Sequence, residues 1–425
     1  MHILFLTDNF PPEANAPAIR TYEHCVKWIS LGSQVTVITC APNFPEGKIF
    51  PGYKNSFWQI SIVDGIRVIR VWSYMAPNKG FVLRSLDHFS FAVISFLVSF
   101  FVRNVDIIVG TSPQFFTVCS AFLISKVRRT PWIFEVRDLW PESIVSVGVL
   151  KPGLTVKVIQ KVADCLYRKS AHIVVVTKSF KHYLIKRSID PKKITTILNG
   201  VNLKNFRVGS SAIPARKRSK RWPEKLVVGY VGTVGSAHGL EIVLNLCEKL
   251  LRTKGGERFR FKIIGNGANY QQLEHIALER NLSNLEFPGP VNRSEISRVW
   301  SEIDIGLVHL VDDPLFRYVI PSKIFEAMAT ATPLLLGVEG EAAKLVRRHR
   351  VGLVFKSGCL DDLFEKLMAL CQDREAYQSM AINGRNASKI YDREILASKM
   401  HVVLQKIAKP RLHTRISSEG RNGEK

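Results

Sequence analysis

The feature that most constrains the fold is an alternation of short Val- and Ile-rich runs with longer amphipathic stretches, which repeats from end to end. This alternation is typical of β-α-β units, in which helices cover both faces of a parallel sheet. The first set of predicted strands is 2–7, 34–39, 66–71, 107–109, 132–136 and 172–177. The second set is 226–231, 260–264, 285–287, 303–309, 333–337 and 352–355. The fold class is therefore α/β, with two separate halves.

The segment between the two sets is rich in Ser, Pro and positive charge and has no apolar periodicity, which is typical of a linker. Two such halves would turn the carboxyl ends of their strands, and hence their ligand loops, toward a shared cleft. The predicted organisation is a first domain 1–205, a linker 206–224, a second domain 225–385, a C-terminal helix 386–408 that crosses back to the first domain, and a disordered tail 409–425.

The charge balance narrows the class of partner. Lys and Arg number 60 against 36 Asp and Glu, a formal net charge of +24. Such a surplus favours anionic partners, namely phospholipid headgroups, diphosphates or nucleic acid. The basic clusters lack the interleaved aromatic residues of an RNA-binding sheet and any helix-turn-helix signature, so we expect no nucleic acid partner.

The seven cysteines are scattered, with no C-x-x-C pair and no histidine at metal-ligand spacing. Neither a zinc site nor a disulfide framework is therefore predicted, and the chain is interpreted as a protein of a reducing compartment. The amino-terminal run has no basic segment before it and is too short for a signal peptide, so it is predicted to be a buried strand. A cytoplasmic location is expected.

Residues 89–102 carry no charge but are fewer than the roughly 20 apolar residues that a spanning helix needs. Residues 81–102 could form an interfacial or shallowly inserted hairpin, or equally a buried helix that packs against a domain. The nearby basic residues Arg103, Lys126, Arg128 and Arg129 favour a peripheral position on the cytoplasmic membrane leaflet.

Three glycine turns end predicted strands of the second domain, at residues 229–241, 264–267 and 287–291. Glycine would let the backbone approach a phosphate group at such a turn, although a plain strand-to-helix turn explains the first of them equally well. The spacing does not match the G-x-G-x-x-G dinucleotide fingerprint. The candidate donor-binding residues here are Gly232, Gly235, His238, Gly265 and Gly267.

A fourth donor-side segment begins with Pro321 and Ser322 and continues as a predicted helix. Lys323 and Glu326 are three residues apart and so share one helix face. A carboxylate there could accept both hydroxyls of a ribose, and an ammonium in the first turn could bind a diphosphate. An exposed ion pair between the two is the alternative interpretation.

With these segments, the chain resembles the retaining glycosyltransferases of family four, which have the two-Rossmann-domain fold called GT-B. The resemblance also includes Leu-Asn-Gly-Val-Asn at 198–202, Ile-Asp-Ile-Gly-Leu at 303–307 and Glu-Gly-Glu-Ala-Ala at 339–343. It implies a fold of two Rossmann-like domains facing across a cleft, with the nucleotide sugar bound to the second domain.

The chain is most similar to the subgroup that builds bacterial O-antigen, lipopolysaccharide, capsule and colanic-acid-like exopolysaccharide, including fucosamine transferases. Phe-Pro-Pro-Glu at 10–13 and Arg-Asp-Leu-Trp-Pro-Glu-Ser at 137–143 carry this similarity. It implies that Arg137 and Asp138, at the cleft lip of the first domain, are catalytic together with Lys323, and that Glu142 is on the acceptor side. A simple Arg137–Asp138 pair is the structural alternative.

The loop before the first helix should face the donor diphosphate and the acceptor, with Asn15 and Arg20 on the acceptor side; Arg20 could equally be a surface charge. The glycine pair usual in this loop is replaced by Glu-Ala-Asn-Ala-Pro-Ala at 13–18. We therefore expect a stiffer loop than the family normally has.

Two further departures concern the donor. The first acid of the family's usual E-x7-E pattern is Tyr318 here, which suggests a deoxy or acetamido donor sugar. Ser236, Ala237 and His238 replace the basic pair that commonly binds the diphosphate. Backbone amides of 235–239, Lys323 and Arg317 are the expected replacements.

The resemblance implies sugar transfer with retention and without a metal or other cofactor, from a nucleotide-sugar donor, with UDP the expected nucleotide. The implied acceptor is a lipid-linked glycan precursor at the inner face of the plasma membrane. The sequence contains no carboxylate pair at glycosidase spacing and no D-x-D-like motif near the glycine turns. Two alternatives remain open at this stage, a GT-B epimerase or phosphorylase and a non-catalytic module that binds nucleotide sugars.

Overall fold

The computed structural model describes residues 1–44, 46–75, 81–146, 148, 150–151, 153–206, 214–219 and 221–408. Fourteen strands are found in this part of the chain. The first sheet contains β1 (His2–Leu6), β2 (Gln34–Cys40), β3 (Trp58–Val63), β4 (Ile66–Val71), β5 (Ile107–Thr111), β6 (Trp132–Val136), β7 (His172–Val175) and β8 (Ile194–Thr196). The second sheet contains β9 (Leu226–Val231), β10 (Phe259–Ile264), β11 (Leu285–Gly289), β12 (Ile305–His309), β13 (Leu334–Gly337) and β14 (Gly352–Val354).

The helices of the described residues lie mostly between these strands. They are α1 (Ala16–Ser30), α2 (Phe81–Ser99), α3 (Phe115–Arg128), α4 (Glu142–Ser146), α5 (Leu154–Lys169), α6 (Lys178–Lys186), α7 (Ala215–Arg218), α8 (Glu241–Leu251), α9 (Tyr270–Glu279), α10 (Ile296–Glu302), α11 (Lys323–Ala329), α12 (Glu341–His349), α13 (Leu360–Gln372), α14 (Arg374–Ser388) and α15 (Arg393–Ile407).

The two sheets have the parallel order expected of Rossmann-like domains. The first is ordered β3-β4-β2-β1-β5-β6-β7-β8 and the second β11-β10-β9-β12-β13-β14. Neighbouring strands pair in parallel except β3 and β4, which form an antiparallel hairpin. Central strands such as β1, β5 and β6 are buried along their whole length because helices cover both faces, which explains their continuous apolar sequences.

Each sheet has a core on both faces. In the first domain, α2, α3 and α5 pack on one face and α1 packs on the other. In the second domain, α8 and α13 cover one face, while α10, α11 and α12 cover the opposite one. This arrangement leaves the loops at the carboxyl edges of both sheets as the places where polar side chains can meet a ligand.

The C-terminal helix crosses back to the first domain. Met400 and Leu404 of α15 are fully buried in the core that also contains Trp28 of α1. The indole of Trp28 donates a hydrogen bond to the carbonyl oxygen of Ala397 at 2.9 Å. The helix begins at Arg393, later than the predicted 386, because residues 386–388 complete α14.

The predicted linker is only partly in the described residues, and the predicted tail 409–425 lies outside them. Within the linker, Lys217 of α7 is buried in the second domain. Its ammonium donates to the carbonyl oxygens of Trp300 and Thr330 at 3.0 Å each. This part of the linker is therefore docked on the second domain.

Residues 81–102 do not form a hairpin, because α2 is one continuous helix from Phe81 to Ser99. Its inner face, with Phe91 and Val98, is buried against the first sheet. Its outer face carries exposed Leu86 and Leu97. Among the residues that the structure describes, none of the helices has the length and apolar content required to span a membrane.

The docking of α15 generates a stability prediction. Met400→Ala should lower the free energy of unfolding by about 2–5 kcal/mol, because it opens a cavity in a fully buried core. Urea unfolding of the full chain measures the change. Val402→Ala on the exposed side of the same helix is the matched control and should change stability by less than about 0.5 kcal/mol. Equal effects of the two substitutions would show that α15 is not docked as described.

Candidate functional site

The carboxyl edges of the two sheets approach each other, and side chains connect them. The Ser146 hydroxyl of α4 donates to Asp313 of the second domain at 3.0 Å. The Ser179 hydroxyl of α6 donates to Glu341 at 2.8 Å. The loops that follow the strands of both sheets therefore line one cleft.

The glycine turns of the second domain pack against each other. A Cβ atom on Gly265 would lie 1.9 Å from the carbonyl oxygen of Gly232, and one on Gly267 would lie 2.3 Å from that of Val234. Neither position has room for a side chain. Gly265 and Gly267 thus allow two loops to pack closely, which places the backbone around Gly232 at the cleft.

Gly235 differs from these glycines, because its surroundings are open. A Cβ there would have its nearest neighbour, His238 Nδ1, at 3.9 Å. Its φ of −131° is available to any residue. The fold therefore does not require glycine at this position, whereas a ligand pressed against the backbone would.

Lys323 has the most unusual environment in the cleft. Its side chain is nearly buried, with 8% relative exposure, and Nζ has no hydrogen-bond partner. The ammonium lies 3.7 Å from the ring centroid of Tyr230 and close to Gly232. Burial lowers the pKa of Lys323 to about 7, while the nearby Glu326 opposes that shift. A buried, unneutralised cation of this kind is suited to an anionic ligand.

His238 borders the same space. Its Nδ1 is buried without a hydrogen-bond partner, and its ring contacts Tyr230 at a centroid distance of 5.8 Å. Burial and the charge of Lys323 lower the pKa of His238 to about 3, so the ring is neutral. A second unsatisfied nitrogen thus lies next to the unpaired ammonium.

Glu326 lies on α11 behind Lys323. Its Oε2 accepts a hydrogen bond from the Trp300 indole at 3.1 Å, which orients the carboxylate. Burial raises the pKa of Glu326, whereas Trp300 and nearby arginines lower it. Pro321 and Ser322 accept backbone hydrogen bonds from the first turn of α11 through their carbonyl oxygens, so they position this turn in the structure.

Arg137 and Asp138 lie directly after β6 at the edge of the first domain. The Ser112 hydroxyl accepts hydrogen bonds from both of their backbone N–H groups, at 2.8 and 3.1 Å. Nε and Nη1 of Arg137 are buried without partners. Burial raises the pKa of Asp138 to about 6, with Arg137 opposing the shift. The guanidinium therefore retains donors for a ligand.

Two predicted acceptor-side residues have structural partners instead. Asn15 caps α1 by accepting from the Ala18 N–H at 2.9 Å, and its amide donates to Asn9 at 2.7 Å. Arg20 is neither a surface charge nor exposed to the cleft. It is buried in an ion pair with Glu135 at 3.1 Å. It also donates to the carbonyl oxygens of residues 197 and 198, so all three guanidinium nitrogens have partners within the first domain.

Glu142, the third acceptor-side candidate, is held in a network on the first domain. One carboxylate oxygen accepts from the Tyr183 hydroxyl and, at 3.2 Å, from Arg187, while the other, Oε2, is buried without a partner. Tyr183 in turn contacts Tyr318 at a centroid distance of 6.4 Å. Tyr318 therefore packs at the domain interface. Arg317 is paired with Asp312 and Glu339, which weakens the case for it as a diphosphate ligand.

The predicted site residues do not include Tyr230, Trp300 or Ser112, although each contacts one of them. Tyr230 stands inside the first glycine turn segment, so its position next to the glycines was a usable signal. Trp300 and Ser112 carry no comparable signal, because only the three-dimensional packing brings them to Glu326 and Arg137.

Comparison with known proteins agrees with this geometry. Residues 18–205 match the family model described as Glycosyltransferase Family 4, and residues 213–387 match that of Glycosyl transferases group 1. The putative colanic acid biosynthesis glycosyl transferase WcaI of Escherichia coli is 26% identical over 68% of this chain and 71% of its own length. The probable glycosyltransferase WbjE of Pseudomonas aeruginosa is 25% identical over 59% of this chain and 62% of its own length.

Solved structures share the fold. Sucrose-phosphate synthase from Thermosynechococcus elongatus superposes with a TM-score of 0.74 at 16% identity, covering 96% of this chain and 98% of the other. Anabaena HepE, solved with UDP and glucose, has a TM-score of 0.67 at 14% identity, covering 96% and 100%. The architecture is therefore GT-B.

The environment of Lys323 predicts a cost in stability. The lowered pKa means that the unfolded chain binds more protons between about pH 7 and 10.5, so the destabilisation by this lysine is full below about pH 7 and is lost as the pH rises toward 10.5. Lys323→Met should raise the free energy of unfolding at pH 7 by a few kcal/mol, with a gain that shrinks toward pH 10. Urea unfolding at both pH values measures this.

Lys192→Met is the matched control, because Lys192 is exposed. It should change stability by less than about 0.5 kcal/mol at either pH. A Lys323→Met variant less stable than the wild type at pH 7 would contradict the unpaired, buried state of the ammonium.

Proposed function

Since this chain is a glycosyltransferase with the GT-B fold, we propose that it transfers a sugar, with retention, from a UDP-linked donor to a lipid-linked glycan precursor of a bacterial cell-surface polysaccharide. The observation that carries the proposal is the buried Lys323 ammonium without a hydrogen-bond partner. An isolated buried cation is costly, and a bound diphosphate would neutralise it.

The donor pocket can be drawn from the residues around that ammonium. The diphosphate lies between Lys323, the neutral His238 ring and the backbone N–H groups near Gly235. The ribose hydroxyls donate to Glu326, whose Oε2 is already oriented by Trp300. UDP is the favoured nucleotide because Anabaena HepE was solved with UDP and with UDP-glucose. The replacement of the family's usual acid by Tyr318 still suggests a deoxy or acetamido donor sugar.

The reaction needs no protein nucleophile. The bond between the anomeric carbon and the diphosphate oxygen breaks, while the acceptor oxygen bonds to the same face of that carbon. The acceptor proton passes to the departing diphosphate oxygen. Lys323 and the free donors of Arg137 would stabilise the negative charge that develops there, and Asp138, whose pKa is raised by burial, would orient the reacting groups. No metal or other cofactor is required in this scheme.

The names of two relatives support a cell-surface polysaccharide precursor as the acceptor. One is described as a colanic acid biosynthesis enzyme and another, from Staphylococcus aureus, as a capsular polysaccharide biosynthesis glycosyltransferase. Such precursors would be reached at a membrane, and the first domain has a surface suited to that location.

This surface, called here the apolar face, is the outer side of α2, α3 and α5. On α2, Leu83, Leu86, Phe89, Val93 and Leu97 are exposed at helical spacing. On α5, exposed Leu154, Val158 and Val162 form a second stripe. A soluble surface rarely exposes so many large apolar side chains together.

The apolar face continues onto the edge strand β3. Trp58 and Ile60 pair with Val71 and Ile69 on the side of the sheet that α2 covers. The Trp58 ring contacts Phe101 after α2 at a centroid distance of 4.8 Å.

Exposed basic residues surround the apolar face, among them Lys126, Arg129, Lys157 and Lys161. This combination of apolar contact and positive charge is complementary to an anionic bilayer surface. We therefore assign the apolar face to peripheral contact with the cytoplasmic leaflet.

The donor proposal predicts nucleotide binding that depends on Gly235. UDP at about 100 times its dissociation constant should stabilise the wild type by about 2.7 kcal/mol, seen as a rise of several degrees in the unfolding midpoint. GDP and dTDP should give smaller shifts. Gly235→Ala should fold normally, because the position has room, yet lose the UDP shift. Glu326→Ala should also lose it.

Gly153→Ala, at an open position in the first domain, is the control and should keep the wild-type shift. A wild-type protein that shows no shift with any nucleotide would refute the donor site. Radiolabelled donor sugars then test turnover: labelled lipid indicates transfer, epimerised nucleotide sugar indicates an epimerase, and binding without product indicates a non-catalytic module.

The apolar face predicts sedimentation with lipid vesicles containing phosphatidylglycerol but not with pure phosphatidylcholine vesicles. Leu86→Glu/Leu97→Glu should weaken binding by at least about tenfold, because each change removes apolar burial and adds negative charge. Leu251→Glu/Leu278→Glu is the matched control, since these leucines are exposed on the second domain. Equal binding by both double variants would contradict the assignment.

A further inference from the structure

The first domain contains a polar cluster at the carboxyl edge of its sheet that has no role so far. Asp8 follows β1, Thr117 lies in the first turn of α3, and His88 lies on α2. Oδ1 of Asp8 accepts from the Thr117 hydroxyl at 2.5 Å, while Oδ2 lies 3.9 Å from His88 Nε2. The Asp8 side chain is nine-tenths buried, with 10% relative exposure.

This cluster has unused capacity to accept hydrogen bonds. The distance from Asp8 Oδ2 to His88 is too long for a direct hydrogen bond, and no other described residue bonds to that oxygen. Glu13, close enough to influence Asp8 electrostatically, has one oxygen that accepts from the N–H groups of Asn43 and Phe44 at 2.9 Å each. Its Oε2 is buried without a partner. A buried oxygen such as Glu13 Oε2 is costly unless something donates to it.

The charges of the cluster decide which ligand could do so. Asp8, Glu13 and Asp87 act on one another electrostatically, while Arg84 acts on Asp8 and Arg70 on Glu13 in the opposite sense. The cluster therefore has no surplus of positive charge with which to hold a phosphate group. Burial, reinforced by Asp87 and Glu13, raises the pKa of the Asp8 carboxyl well above its usual range. The described residues include no group of three or more His, Cys, Asp or Glu side chains that could hold a metal ion. A neutral ligand rich in hydroxyl donors, such as a sugar ring, fits these conditions.

The sheet topology puts the cluster beside the proposed reaction centre. Strands β1, β5 and β6 are neighbours, so Asp8, Ser112 and Arg137 follow their carboxyl ends in adjacent loops. Leu315 and Tyr318 of the second domain pack against the core beneath this edge. The cluster therefore lies on the side of the first domain that faces the cleft.

Helix α2 links the cluster to the apolar face. His88 is directed toward Asp8, while Leu86 and Phe89 beside it are exposed on the outer side of the helix. A ligand with an apolar anchor and a sugar head could place the anchor along the outside of α2 and the sugar beside His88, at the carboxyl end of β1. This fits a lipid-linked acceptor.

We propose that Asp8 and His88, with Glu13 behind them, bind the sugar ring of the acceptor through its hydroxyl groups, separately from the site that binds the donor diphosphate. This inference rests on the proposed function. It adds Asp8 and His88 to the predicted acceptor side, where Asn15 and Arg20 have structural partners and one oxygen of Glu142 is bonded to Arg187.

The test separates donor binding from acceptor binding in the full-length enzyme. The acceptor probe is an organic-solvent extract of membranes from the cells that carry this gene, titrated at a saturating concentration of the radiolabelled UDP-sugar that the wild type transfers. The variants are Asp8→Ala, Asp8→Asn and His88→Ala. Asp190→Asn, on an exposed loop of the same domain, is the matched control. The UDP shift of the unfolding midpoint and the acceptor-independent hydrolysis of the donor are measured on each.

Asp8→Ala and His88→Ala should raise the apparent KM for the extract at least tenfold, with the UDP shift and donor hydrolysis unchanged. The apparent KM of Asp8→Asn should lie between those of Asp8→Ala and the wild type, because the amide keeps one oxygen that accepts hydrogen bonds. Wild-type KM values in both alanine variants would overturn the assignment while leaving the proposed function intact. Loss of the UDP shift in a folded variant would also overturn it, since that places the residues at the donor.

If Asp8→Ala does not fold, Asp8→Asn and His88→Ala decide the question by the same criterion. Failure of the proposed function has a different result: the wild type itself shows no UDP shift. A wild type that shifts with UDP yet never labels the extract would refute the lipid-linked acceptor and this pocket with it.

Discussion

The relative placement of the two domains depends on one buried charge cluster at the crossing between them. Arg393, at the start of α15, donates to Glu23 of α1 at 2.5 Å and to the carbonyl oxygens of Asn199 and Gly200. Arg293 of the second domain donates to the same carboxylate. Removing one partner of such a buried group leaves an uncompensated charge, which typically costs about 3–5 kcal/mol. The cluster thus joins both domains and the returning helix, and the cleft is aligned by it.

The cleft differs from this cluster, because several of its buried polar groups have no partner. Inside the first domain, the buried charges of Arg20 and Glu135 pair with each other. In the cleft, Lys323, His238 and Arg137 keep buried nitrogen atoms without partners. Folding alone gives no reason to bury such groups, because each one lowers stability. These unsatisfied groups lie together on the facing edges of the two sheets, which indicates a ligand site rather than polar residues that only stabilise the fold. The same reasoning separates Glu13, whose Oε2 is buried without a partner, from the well-satisfied Asn15.

Much of the fold could be predicted because burial on both faces makes a parallel strand continuously apolar. Strands β1, β6 and β9 were predicted within about one residue for that reason. Strand β3 was missed because it is an exposed edge strand without such a run. The Asp64-Gly65 pair, with positive φ at both residues, was the available signal for its hairpin. Strand β8 has only three residues, too few for a pattern.

The sequence by itself determined the two-sheet architecture, the glycine turns and the spacing of Lys323 and Glu326, because these depend on periodicity and on neighbours along the chain. Tertiary structure alone decided which polar residues are satisfied. Arg20 and Arg137 look alike in the sequence, yet only Arg20 meets a buried carboxylate at close range. Asp8 and His88 are 80 positions apart in the numbering and meet only because α2 packs beside the end of β1. Hydrogen-bond satisfaction depends on contacts between distant segments, and no local pattern encodes it.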